Sequence, residues 1–140
     1  MILIIDTNIL FAALLKESTT RRFLIDSPFM LYAPETLVTE IHKYEDEIVR
    51  RSGLSKKDFE QLFALITENI VIRKQESYQD KMDEAEQLIG HLDKGDVPFI
   101  ALALSIRNDG IWTENVNHFK QQNKIRVWTT RDIISQIGEF

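Results

Sequence analysis

Ile2-Leu3-Ile4-Ile5 is an unbroken apolar run that closes on Asp6-Thr7-Asn8. A run of this kind reads as a strand buried on both faces. Such a strand needs cover above and below, which confines the chain to a sheet packed between helices. In an open sheet of that type, ligands bind outside the carboxyl ends of the strands. Asp6 therefore stands where such a fold does its chemistry.

The rest of the chain supplies the matching elements. Further strands are expected at 29–33, 70–73, 111–113 and 126–128. Phe11, Leu14 and Leu15 begin a helix after the Asp6 loop. A second helix is expected over about 35–51, where Leu37, Ile41, Tyr44 and Ile48 recur at helical spacing and Gly53 provides a stop. Ser55 with Asp58 three residues on resembles a capping box and opens a third, with Phe59, Leu62, Phe63 and Ile66 on one face. Tyr78, Met82, Ala85, Leu88 and Leu92 outline a fourth. Asp96 precedes a fifth, with Phe99, Leu102, Ala103 and Ile106 inward and Asp109-Gly110 as the turn out. Thr130 opens a short last helix. Strands alternating with helices imply a mainly parallel sheet with right-handed crossovers. The fold class is thus α/β, a three-layer sandwich with a mainly parallel sheet of about five strands flanked by helices. No linker, repeat or composition break interrupts the chain, so residues 1–140 read as a single domain.

Composition excludes several kinds of chemistry. There are no cysteines, which removes disulfides, zinc–thiolate sites and thiol nucleophiles and suits a reducing cytosol. No run approaches the ~20 apolar residues that span a bilayer, and residues 1–5 are too short for a signal peptide. A cytoplasmic protein with no membrane partner is expected. Net charge is −5, which argues against a general electrostatic grip on nucleic acid. Arg21-Arg22, Arg50-Arg51, Lys56-Lys57 and the basic C-terminal end (Lys120, Lys124, Arg126, Arg131) still allow a polyanion to be held locally. Taken singly, each basic pair reads as solvated surface charge.

Four acidic or amide positions map to one edge of the expected sheet. Asp6 ends the first strand, Glu40 lies in the second turn of the helix after the second, Asp96 opens the fifth helix, and Glu114-Asn115 follow the fourth strand. Each has an ordinary reading: a turn residue, a surface glutamate, an N-cap, a loop. Their coincidence at one edge favours a site. Carboxylates within ~4–6 Å of one another raise each other's pKa, and a hard divalent cation relieves that repulsion. An all-oxygen donor set suits Mg²⁺ or Mn²⁺ and phosphodiester hydrolysis. Thr7 and Asn8 fit as groups that orient Asp6 or a metal-bound water, or simply satisfy backbone. Asp93 is close enough to Asp96 to join it, although a solvated loop residue is the simpler reading. His42, His91 and His118 show no metal-ligand spacing.

Asp6-Thr7-Asn8-Ile9-Leu10, Glu40, Asp96 to Ala103, and Ile111-Trp112-Thr113-Glu114 through Phe119 occur in the order and rough spacing of a PIN domain, and nearly the whole chain resembles that family. The resemblance implies an Mg²⁺- or Mn²⁺-dependent ribonuclease with metal ligands at Asp6 and Asp96 and Glu40 as the third acid. The VapC-type toxins are the best-known small members, so the resemblance also suggests homodimerisation and an antitoxin protein as partner, with RNA as substrate. Arg21, Arg22, His118 and Lys120 are the candidates for RNA contact.

One departure matters. The family usually carries Asp two residues after the threonine of the fourth strand. Here Thr113 is followed by Glu114 and Asn115. Either Glu114 replaces the carboxylate, or the site runs on three acids with Asn115 as a neutral ligand, or activity is weakened or lost. The last option leaves a PIN-fold module that binds RNA or a protein. Phosphoryl transfer on Asp6 is a third class of reading. Asn8 stands where a dehalogenase-like domain would carry its second Asp, and neither G-x-G-x-x-G nor a Walker A pattern occurs.

Overall fold

A computed structural model of the chain describes residues 1–90 and 93–137. Its strands are β1 (Ile2–Ile5), β2 (Met30–Pro34), β3 (Ile70–Arg73), β4 (Gly110–Trp112) and β5 (Val127–Trp128). Its helices are α1 (Thr7–Leu15), α2 (Thr19–Ile25), α3 (Thr36–Lys43), α4 (Glu45–Ser52), α5 (Lys56–Thr67), α6 (Met82–Ile89), α7 (Val97–Ser105), α8 (Val116–Phe119) and α9 (Thr130–Ile137). The strands form one all-parallel sheet in the order β3-β2-β1-β4-β5. The chain first moves outward from β1 through β2 to β3, then returns to lay β4 on the other side of β1. That reversal makes the β1–β4 boundary the topological switch point, where such sheets bind their ligands.

Register follows from burial. Ile4 of β1 pairs with Tyr32 on one side and Ile111 on the other. Leu3, Ile4 and Ile5 are fully buried, as expected of a central parallel strand. Helices α1 to α5 pack on one another as one layer, while α7 lies across β1, β2 and β4 with α6 against it. The α/β sandwich thus agrees with the expectation from the sequence. Among the described residues, no helix is long and apolar enough to cross a membrane.

The helix expected over 35–51 is two helices. The break falls at Tyr44, whose amide closes the last turn of α3 on Glu40 and Ile41. Glu45, Asp46 and Glu47 then crowd one turn. Three carboxylates favour the positive N-terminal end of a helix over its middle, so a new helix starts there. The stop at Gly53 holds, with the residue left-handed at φ 76°. Ser55 accepts from the Asp58 amide as the capping reading requires. The helix outlined from Tyr78 to Leu92 is shorter, two single 3-10 turns (Gln75–Ser77, Gln79–Lys81) leading into α6. Leu92 and His91 lie outside the described residues. Helices α2 and α8 were not expected; both are short, and Ser18 capping the Arg21 amide was the local signal for α2.

Asp109-Gly110 is the turn into β4 (φ 137° at Gly110). A Cβ at Gly110 would stand 2.5 Å from the Arg126 carbonyl and 2.8 Å from the Trp128 ring. Glycine is therefore what lets β5 approach β4.

Candidate metal centre

The backbone ladder runs one step past each central strand. The Asp6 amide donates to Trp112 O at 3.0 Å, and the Thr113 amide to Trp128 O at 2.9 Å. These bonds fix Asp6 and Thr113 side by side at the switch point. The Thr113 hydroxyl donates to Asp6 Oδ2 at 2.6 Å and accepts from the Asn115 amide at 2.9 Å. At the start of α1, the Thr7 hydroxyl donates to Glu40 Oε1 at 3.0 Å. Two threonines thus aim two carboxylates into the crevice, one from the strand and one from α3.

Asp96 comes from the opposite helix layer. It occupies the N-cap position of α7 but makes no capping hydrogen bond, so its carboxylate is left for the crevice. The imidazole of His118 meets it, with Nδ1 3.1 Å from Asp96 Oδ2. The Asn115 side-chain amide lies 2.9 Å from the same nitrogen. A hydrogen on Nδ1 directed at Asp96 leaves that nitrogen no lone pair, so Asn115 meets it best with its oxygen. Asp93 Oδ1 accepts from the Gly95 amide at 2.8 Å, which shapes the 3-10 turn Lys94–Asp96. Donor atoms of Asp93, Asp96 and His118 all lie within 4.8 Å of one another.

The carboxylates perturb each other as the clustering argument requires. Asp6 is 3% exposed, and its carboxyl is pushed up to about 6. Burial is the main cause, Thr113 opposes it, and the charges of Asp96 and Glu40 add to it. Glu40 is raised by burial, opposed by the Thr7 hydroxyl and raised further by Asp96 and Asp93. Asp96 is raised by burial, opposed by its bond to His118 and raised further by Asp93. Buried oxygen donors that repel one another in this way fit a hard divalent cation, Mg²⁺ or Mn²⁺.

Glu114 is not brought into this group. Thr113 is buried, Glu114 is exposed at the bend after β4, and the half-buried Asn115 lies against His118. Exposed Glu114 accepts from the Thr130 amide at 2.8 Å, at the start of α9, whose cap is the reciprocal pair Thr129 and Asp132. Asn8 is exposed on the first turn of α1 and lines a cavity of about 310 Å³ with Thr7 and Glu40. Arg21 is occupied elsewhere: its Nε donates to Ala13 O at 2.7 Å and its Nη2 to Leu14 O at 3.4 Å, satisfying the C-terminal carbonyls of α1. Arg22 is exposed and reaches Thr19 at 3.4 Å. Lys120 is exposed, and its charge is felt by Asp132 rather than by the cluster. His42 pairs with Glu45 and packs on Phe63, away from the crevice.

Sequence reasoning named Asp93 but favoured a solvated role, and it gave His118 no partner. The signal for His118 was its spacing from Asn115. Residues three apart share a face once a helical turn is present, and α8 supplies that turn.

A family model described as "PIN domain" matches residues 4–137 of the chain. No curated protein matches it.

Proposed function

The chain belongs to the PIN domain family, and on that premise we propose that it is a divalent-cation-dependent ribonuclease that hydrolyses RNA phosphodiester bonds. The PIN domain is a nuclease fold, and Asp96 with Asp93 and His118 has donor atoms close enough together to hold a metal ion. The observation that carries the reading is the convergence of Asp6, Glu40 and Asp96 from three different elements on the switch point, each raised by burial and by its neighbours.

Asp6 and Asp96 would hold Mg²⁺ or Mn²⁺, with Glu40 beside them. A cation so bound lowers the pKa of a coordinated water and stabilises charge on a phosphodiester oxygen. The chain's own side chains do the positioning. Thr113 fixes Asp6, Thr7 fixes Glu40, and His118 with Asn115 fixes Asp96. Burial of Asp6 in a low-dielectric crevice strengthens its hold on a cation relative to open water. Asn115 serves as the fourth group of the site in place of a carboxylate, and Glu114 acts on α9. A single domain over residues 1–140, a homodimer in the cytoplasm and a toxin neutralised by a small antitoxin protein complete the proposal.

Asp6→Asn and Asp96→Asn are expected to abolish Mg²⁺- or Mn²⁺-dependent cleavage of single-stranded RNA while circular dichroism stays that of the parent. Undiminished cleavage by both variants would overturn the assignment. A second reading, a PIN-fold module that binds without cutting, is favoured by one observation: Glu114 points outward, so no carboxylate stands at the fourth position. Calorimetric titration with Mn²⁺ separates the two, because a site without a cation shows no Asp6-dependent isotherm.

A further inference from the structure

Glu40, beside the cation site, lines two cavities. On one side Thr36, Thr39, Lys43, Lys94, Gly95 and Pro98 line a space of about 400 Å³ with Glu40. Two lysines from different elements, α3 and the turn before α7, bring positive charge to it. The Thr36 hydroxyl is sealed from solvent and has no hydrogen-bond partner among the described residues, which is unusual for a buried polar group. Lys43 is close enough that its charge acts on Glu40. Two lysine cations beside an acidic centre are what draws a phosphate to this side.

On the other side of Glu40, the cavity of about 310 Å³ is bounded by Phe11 and Tyr44 together with Thr7, Asn8 and Glu47. The two rings meet edge to face, with centroids 6.4 Å apart. Tyr44 sits at the break between α3 and α4 and keeps 44% of its surface exposed. A ring at a helix break belongs to the buried stripe of neither helix, so the part of it not covered by Lys43 and Phe11 stays open to a flat partner. Bases stack on such rings regardless of sequence, and Lys43 Nζ, 5.6 Å from the Tyr44 centroid, links the ring to the phosphate side.

We propose that these two cavities form the path of the single-stranded RNA substrate, with a backbone phosphate held by Lys43 and Lys94 and a base stacked on Tyr44 beside Phe11. The proposal rests on the ribonuclease reading and deepens it. Lysines on one flank of an acidic wall and aromatic rings on the other would orient the chain. A phosphate is drawn to the lysines, and the uncharged base takes the acidic, aromatic side. A duplex keeps its bases stacked in pairs and has none to offer Tyr44, so the path selects single strands.

Fluorescence anisotropy with a labelled oligouridine of about ten nucleotides tests this in the full chain carrying Asp6→Asn, which holds RNA uncut. Adding Lys43→Ala or Lys94→Ala should weaken binding several-fold and reduce the slope of log affinity against log salt by about 0.7 each. Tyr44→Ala should weaken binding between about fivefold and a hundredfold, and Tyr44→Phe should restore it. Lys124→Ala, at the opposite end of β4 beside Gly110, should change nothing. No binding by the Asp6→Asn chain, equal binding of a duplex, or affinities untouched by all three alanines would each overturn the proposed path. Cleavage by the parent protein is scored separately: if Asp6→Asn still cuts RNA, the ribonuclease assignment fails whatever the binding data say.

Discussion

Asp6→Asn should make the metal-free protein more stable, not less. The folded chain holds the Asp6 carboxyl at about 6 against an ordinary 3.8. A carboxyl raised by folding takes its proton more readily in the folded state than in the unfolded one. Its contribution is therefore neutral below pH 4, becomes increasingly destabilising as pH rises from about 4 to about 6, and levels off above that. At about 1.4 kcal/mol for each pH unit, the charged form costs the fold about 3 kcal/mol at pH 7.5. Asparagine removes that charge at nearly constant shape. The carboxylate accepts from both the Thr113 hydroxyl and the Thr7 amide. One amide oxygen keeps only one of these contacts unless the hydroxyl turns to accept, a loss of about 1 kcal/mol. The net gain is about 2 kcal/mol, or roughly 6 °C in Tm for a domain of this size. Urea unfolding followed by the fluorescence of Trp112 and Trp128, with chelator present, measures it. The variant should match or fall slightly below the parent at pH 4 and exceed it at pH 7.5. Saturating Mn²⁺ should then stabilise the parent and leave the variant unmoved. A variant less stable than the parent at pH 7.5 in chelator, or a gap independent of pH, would refute the account of a strained acidic cluster.

Thr113→Val removes the donor that opposes the burial of Asp6, and Mn²⁺ affinity by calorimetry should fall between tenfold and a hundredfold. Glu114→Ala should leave that affinity within about twofold and lower stability by no more than about 1 kcal/mol, because the Thr130 amide loses one acceptor while Thr129 and Asp132 still cap α9; thermal melts by circular dichroism read the difference. Gly110→Ala places a methyl 2.5 Å from the Arg126 carbonyl at φ 137°, and urea titration should show a loss of more than about 3 kcal/mol.

The strands were legible because buried parallel strands are written as continuous apolar runs, and β1 and β3 fall at the expected residues. Gly53 and Ser55 were equally plain, each acting through its own backbone or side chain. The break at Tyr44 was hidden because Leu37, Ile41, Tyr44 and Ile48 keep helical spacing across it; the charge run at 45–47 that causes it leaves the apolar pattern intact. In the site, Asp6 and Asp96 could be placed from element ends and Glu40 from its helical turn after the second strand. The direction of Glu114 could not, since one residue along the chain decides between crevice and solvent. His118 was obscured for a different reason: its partner Asp96 lies 22 residues earlier, and no local pattern records that meeting.

The sheet order also dictates when the site can exist. β1 comes first in the chain yet sits at the centre of the sheet, and its second neighbour, β4, begins only at Gly110. The hydrogen bond between Asp6 and Thr113 closes a separation of 107 residues. Contacts at that distance are made late, after the entropy of a long loop has been overcome. During synthesis the first strand must wait, half paired, until β4 has emerged. The crevice is therefore the last part of the molecule to become complete, and a nascent or truncated chain lacking β4 carries the Asp6 carboxylate without the threonine that positions it.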